Sequence, residues 1–200
     1  MKYALGLVES YGNDFQKNLM SIEKTLMKAK EQRVELLLFS ELFLGELNFT
    51  EESVGFFQLK MLAVNYDVPF GIGLMLENHN SYVVFDKDGS LLLKHRVGNS
   101  ETFELNHREF SVVLGDEGFD IENPRSSLVL WPILINSSPQ EWFNEVMSKY
   151  RLQCKNLGSE VILINGVRPE MSYGGGFYLK NQQFVLNQPM EQIGLSIFDD

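Results

Sequence analysis

Residues 34–40 read Val-Glu-Leu-Leu-Leu-Phe-Ser, a nearly unbroken apolar run of strand length. A strand with one wet face alternates apolar and polar residues, whereas a run of this kind belongs to a strand buried on both faces. The sheet it joins therefore needs cover on each side. Immediately before the run, Phe15, Leu19, Ile22, Leu26 and Ala29 recur at three- and four-residue steps, with Lys and Glu between them. That spacing predicts an amphipathic helix to about Gln32, and Asn13 and Asp14 stand where its cap belongs. Residues 2–8 alternate loosely and read as a strand. The chain thus opens as strand, helix, buried strand.

The remainder continues the alternation. Thr50 is expected to cap a second helix, with Glu51 and Glu52 in its first turn, where the helix dipole favours acids. Residues 68–76 read as another strand. In residues 81–95, two apolar strands flank Asp88-Gly89, a pair that tolerates positive φ, which predicts a hairpin. Strands are expected at 110–115, 126–135 and 160–165, and a last hairpin turns near Asn181. Between Pro139 and Leu157 the pattern is helical, with Trp142, Val146, Tyr150 and Cys154 on one face. No repeat, linker or low-complexity stretch divides residues 1–200, so a single domain is expected. Helices preceding apolar strands give an α/β layered domain. Pattern alone does not choose between a doubly wound sheet and a two-sheet sandwich.

Composition narrows the class of function. The net charge of −10 argues against nucleic acid and anionic membranes as partners, because both call for basic patches. A single cysteine forms no internal disulfide, and no Cys/His cluster has metal-ligand spacing. No apolar stretch approaches the roughly 20 residues of a membrane helix. The expectation is a cytoplasmic protein without cofactor or metal.

Three segments carry a family resemblance: Glu-Leu-Leu-Leu-Phe-Ser-Glu-Leu-Phe-Leu-Gly-Glu-Leu at 35–47, the hairpin at 79–97, and Phe-Ser-Val-Val-Leu-Gly-Asp-Glu-Gly-Phe-Asp-Ile-Glu at 110–122. Together they resemble the nitrilase, or carbon–nitrogen hydrolase, superfamily. The resemblance implies a four-layer α-β-β-α sandwich and a Glu-Lys-Cys triad. It places the general base at Glu41, although Ser40 stands where the family usually has Pro. It places the oxyanion-stabilising lysine at Lys94. It places Glu104 as a second carboxylate that positions substrate. The nucleophile position falls on Gly115, which has no side chain to attack a carbonyl or nitrile carbon. The acid two places further on, Glu117, is retained as a candidate substrate-binding residue. Cys154, the only thiol, lies in the helix expected on the outside of the sheet and reads as a buried small hydrophobe.

Two functions follow from the resemblance. One is a degenerate family member that binds an amide- or nitrile-like small molecule or a protein partner. The alternative is a working amidase- or nitrilase-type hydrolase of non-peptide C–N bonds with altered chemistry. The resemblance also implies a homodimer, for which the Pro139–Leu157 helix, with Trp142, Phe143, Val146, Met147 and Tyr150, is the expected interface. Glu41, Lys94 and Gly115 are expected to converge, with Glu41 and Lys94 in direct or one-water contact.

Overall fold

The structure is a computed structural model that describes residues 1–99, 101–120 and 128–200. Its first half runs β1 (Lys2–Leu7), α1 (Phe15–Glu31), β2 (Leu36–Leu38), β3 (Asn48–Phe49), α2 (Val54–Tyr66), β4 (Phe70–Leu76), β5 (His79–Phe85) and β6 (Leu91–Arg96). Its second half runs β7 (Thr102–Leu105), β8 (Arg108–Val112), a 3₁₀ turn (Gly115–Phe119), β9 (Leu128–Ile133), α3 (Pro139–Glu141), a π-helical stretch (Trp142–Val146) and α4 (Met147–Leu157). It closes with β10 (Glu160–Asn165), β11 (Val167–Arg168), β12 (Ser172–Tyr173), β13 (Gly176–Lys180), β14 (Gln183–Gln188) and β15 (Gly194–Asp199). The first two residues of the strand expected at 126–135, and the last two of the segment at 110–122, lie outside the described residues.

One sheet has the order β15-β1-β2-β4-β5-β6, with β3 beside β4; the other has the order β14-β13-β10-β9-β8-β7. The parallel pairs β1–β2, β2–β4, β8–β9 and β9–β10 form the middle of the sheets. These are the strands with continuous apolar sequence, as double-sided burial requires. Along β1, Tyr3 and Leu5 face the second sheet, while Ala4 faces α1 and α2. Tyr82 and Val84 of β5 likewise point between the sheets, and Val83 points to the helices. On the second sheet, Phe110, Leu130, Ile162 and Tyr178 meet them, whereas Val129, Trp131 and Val161 lie under α3 and α4. The result is the four-layer α-β-β-α arrangement. Among the described residues, no helix is long and apolar enough to cross a membrane.

Local expectations are corrected in three places. Ser53, not Thr50, caps α2: its hydroxyl accepts from the Phe56 amide, while the Thr50 carbonyl accepts from Ser53. Glu51 and Glu52 therefore sit ahead of the helix. The Pro139–Leu157 segment is interrupted by its π stretch, and Trp142 and Tyr150 are core residues on the second sheet. Only Phe143 and Leu152 of that segment stand out as exposed apolar side chains. The last strand, β15, has no counterpart in the sequence reading. It returns to pair antiparallel with β1 over the whole of its length.

Candidate active site

Glu41 follows β2, where the chain leaves the sheet over Gly73 of β4. A β-carbon on Gly73 would lie 2.4 Å from the Leu42 nitrogen and 2.6 Å from Glu41 Cα, so only glycine admits this crossing. The next residue, Leu42, has φ 45°, a left-handed backbone that a leucine adopts at a cost. The turn is held from outside. Arg168 Nη2 donates to the Leu42 carbonyl at 2.7 Å, and Ser10 Oγ donates to the Phe43 carbonyl at 2.7 Å. Strain fixed in this way sets the direction of the Glu41 side chain.

That side chain reaches into the space between the sheet ends. Its Oε1 accepts from Asn80 Nδ2 at 2.7 Å, and its Oε2 accepts from the Leu134 amide at 3.0 Å. Asn80 opens β5 and Leu134 follows β9, so one carboxylate ties the two sheets together. Burial raises the Glu41 pKa above the ordinary carboxylate value; the Asn80 and Leu134 bonds pull it back, and the nearby Asp116 charge adds to the rise. Burial, then the Asp116 and Glu41 charges, also hold the Tyr150 hydroxyl well above its usual range. The Asn80 Oδ1 atom is buried with no partner.

Gly115 adjoins Glu41. A β-carbon at Gly115 would lie 2.6 Å from Glu41 Oε1 and 2.9 Å from Oε2. Its φ of 57° is itself in the region that favours glycine. Its carbonyl accepts from Trp131 Nε1 at 2.8 Å, which fixes the turn onto β9. Glu41 and Gly115 thus converge as expected.

Lys94 does not join them. Cross-strand partners share a face, and Lys94 pairs with Val83, which points to the helices. Its Nζ donates to Glu51 Oε1 at 2.5 Å. Hydrogen bonding to Glu51 raises the Lys94 pKa, against a smaller effect of burial. Among the described residues, no ion pair joins Lys94 to Glu41. The inward position on β6 belongs to the next residue, His95, opposite Tyr82.

His95 is fully buried, and its Nε2 lies 2.8 Å from Glu117 Oε2. Glu117 also accepts from the Leu114 amide at 2.9 Å and the Gly98 amide at 2.8 Å. Burial raises the Glu117 pKa, but the His95, Leu114 and Gly98 bonds outweigh it and hold the carboxyl below its ordinary value. Both oxygens of Glu117 are engaged by the protein, so its expected role toward substrate is replaced by one of holding the 115–119 turn. Glu104 is also misplaced by the sequence reading. It is an exposed residue of β7, 3.8 Å from His107, near Asn106, which donates to Glu35 just ahead of β2. Glu41 lies beyond the opposite end of that strand. Cys154 is fully buried beneath α4, and burial raises its thiol pKa strongly.

Asn80, His95 and Glu51 are the partners that sequence reasoning missed. The triplet Leu91-Leu92-Leu93 ahead of Lys94 carries no alternation, so the facing of Lys94 and His95 is not readable from the pattern.

The carbon-nitrogen hydrolase family pattern matches residues 4–106. The chain belongs to the carbon–nitrogen hydrolase family. No curated protein matches it in sequence. Solved structures do match it in fold. The NitN amidase of Nesterenkonia sp. AN1 is 17% identical with a TM-score of 0.77, over 100% of this chain and 92% of the amidase. A structure of the same amidase showing Michael addition of acrylamide at its active-site cysteine is 17% identical with a TM-score of 0.79, over 100% and 92% of the two chains. An active-site variant of that amidase, described as belonging to the nitrilase superfamily, is 18% identical with a TM-score of 0.77, over 100% and 91%. At this identity the likeness establishes the nitrilase fold for the present chain.

Proposed function

We propose that this carbon–nitrogen hydrolase-family chain has lost covalent catalysis and uses the Glu41 region to bind an amide- or nitrile-like small molecule or a protein partner. The observation that carries the reading is the Glu41 carboxylate lying 2.6 Å from where a β-carbon of residue 115 would stand. A side chain at that position would have to displace the Glu41 carboxylate from its Asn80 and Leu134 bonds, and the residue there is glycine. The engagement of Lys94 with Glu51 supports the same reading, because it withdraws the cation from a developing oxyanion. Loss of the nucleophile in a catalytic triad costs on the order of 10⁴–10⁶ in rate.

Intact-mass measurement during incubation with acrylamide, acetamide and butyronitrile tests the proposal. The native protein is expected to acquire no adduct and to release ammonia no faster than buffer. Cys154 should be alkylated only after denaturation, since its side chain is fully buried. An adduct on the native protein, or turnover well above buffer, would sink the reading. Gly115→Cys alone is expected not to restore hydrolysis, because the new side chain meets Glu41.

The alternative is water activation by Glu41, and its raised pKa favours that reading, since a buried carboxylate is a stronger base. Ammonia release that disappears in Glu41→Gln would support it over the binding role.

A further inference from the structure

The two sheets end in four strands: β15 and β6 bound the first, β14 and β7 the second. Sheet edges in stable proteins are kinked by bulges, kept short, or lined with lysine or proline. Three of these four follow that rule. β6 and β14 each have a register shift against the neighbouring strand, β6 also carries Lys94 and Arg96, and β7 is four residues long. β15 has none of these devices. Gly194–Asp199 pairs with β1 for six residues without a shift and contains neither lysine nor proline.

Its outer edge is a row of free backbone groups. Lys2 of β1 turns its own N–H and C=O toward Glu35, just ahead of β2. Hydrogen-bonded and non-bonded pairs alternate along an antiparallel ladder. Tyr3, Leu5 and Leu7 therefore bond to β15, and the pairs Ala4–Ile197 and Gly6–Leu195 are non-bonded. It follows that the N–H and C=O groups of Leu195 and Ile197 point out of the sheet, and among the described residues no hydrogen bond reaches them.

A groove lies on each side of this edge. One, of about 390 Å³, is lined by Gln188, Gln192, Ile193 and Ser196. The other, of about 150 Å³, lies between β15 and α1 and is lined by Val8, Ser21, Lys24 and Lys28. Both reach Gly194 and Leu195. Alternate side chains of a strand added to β15 would enter the two grooves in turn. On one side they meet carboxamides and a hydroxyl, with Gln188 bridging Gln192 and Ser196. On the other they meet two ammonium groups. Lys24 and Lys28 are exposed, and among the described residues neither has a carboxylate partner. One helical turn of about 6 Å separates them, against about 6.8 Å between alternate residues of a strand.

We infer that the open edge of β15 is a docking site for an extended peptide segment, which adds to the first sheet as a further strand. That segment carries acidic side chains at two alternate positions, for Lys24 and Lys28, and small polar ones between them. The acetylated and amidated peptide Thr-Val-Thr-Glu-Thr-Glu-Thr-Val-Thr is the probe. With a fluorophore at one end it should bind saturably in an anisotropy titration, and it should slow deuterium exchange at the Leu195 and Ile197 amides while leaving β14 unchanged. Replacing both glutamates of the probe by lysine, or N-methylating its three central amides, should each weaken binding at least tenfold. Lys24→Glu/Lys28→Glu should do the same with circular dichroism and unfolding midpoint unchanged, since both side chains are exposed. No saturation up to millimolar probe, binding that leaves exchange at Leu195 and Ile197 unaltered, or binding that survives N-methylation or the double lysine substitution would each overturn the inference. So would light scattering at twice the 23.0 kDa chain mass with these two amides protected before any peptide is added, which would make a second copy the occupant.

Discussion

A methyl group at Gly115 would have to share space with the Glu41 carboxylate and accept a φ of 57°. Both effects oppose it, so Gly115→Ala is expected to destabilise by about 2 kcal/mol in urea unfolding. Glu41 and Glu117 should respond to pH in opposite senses. Burial raises the folded-state pKa of Glu41 above its ordinary 4.5, so the folded protein holds that proton more tightly than the unfolded chain. Its stabilising share is full below the unfolded value and is lost as the pH rises through the folded one. Glu41→Gln should therefore flatten the fall in stability above pH 4.5, and gain about 1 kcal/mol at neutral pH if the new amide also reaches the unpartnered Asn80 Oδ1. For Glu117 the folded value is depressed, so its share is present above 4.5 and is lost as the pH falls through the folded value. Glu117→Gln should remove that acid-side loss. Unfolding midpoints of both variants from pH 3 to 8 check the pair, and slopes that match wild type in either case would contradict the assignment.

The 3₁₀ turn Gly115–Phe119 is held at its first residue by Trp131 and at its third by the His95–Glu117 pair, which spans the two sheets. Glu117→Ala would leave His95 buried without its partner, and a loss of about 3 kcal/mol is expected. The Gly98 and Leu114 amides, which donate to Glu117, should exchange faster with deuterium in that variant while the β10 amides do not. How far an element can be read beforehand depends on whether one residue type settles its local geometry. Asp88-Gly89 does so for the β5–β6 hairpin, where Gly89 has φ 81°. Continuous apolar runs do so for β4, β9 and β10. By contrast, β15 is intermediate in burial along nearly its whole length, so no alternation marks it, and its pairing with β1 is a property of the closed fold. The site divides in the same way. The left-handed Gly115 and the carboxylate after a buried strand are visible as residue types. The facing of Lys94 is not, because it depends on a strand register that three consecutive leucines leave open.

At the scale of the whole molecule, Arg108 joins the two sheets near the chain ends. It pairs with Glu160 and Asp200 and donates to Tyr3 Oη at 2.8 Å, while Lys180 and Tyr178 also reach Asp200. Arg108→Ala should cost about 2 kcal/mol and release the end of β15 first, because it leaves the partly buried Glu160 without its cation and Asp200 with Lys180 alone. Deuterium uptake at Ser196–Asp199 is the readout. The same corner governs how the chain is made. β1 needs β15 on its outer side, with Lys2 beside Asp199, and nearly the full length of the chain separates the two. During synthesis β1 emerges well before β15, and its outer edge stays unpaired until β15 has left the ribosome. An unpaired edge beside apolar strands is a template for other chains, and pairings so distant in sequence form slowly. The growing chain therefore carries an adhesive edge in the interval before β15 arrives, and chaperone demand should be raised for chains stalled just short of residue 194.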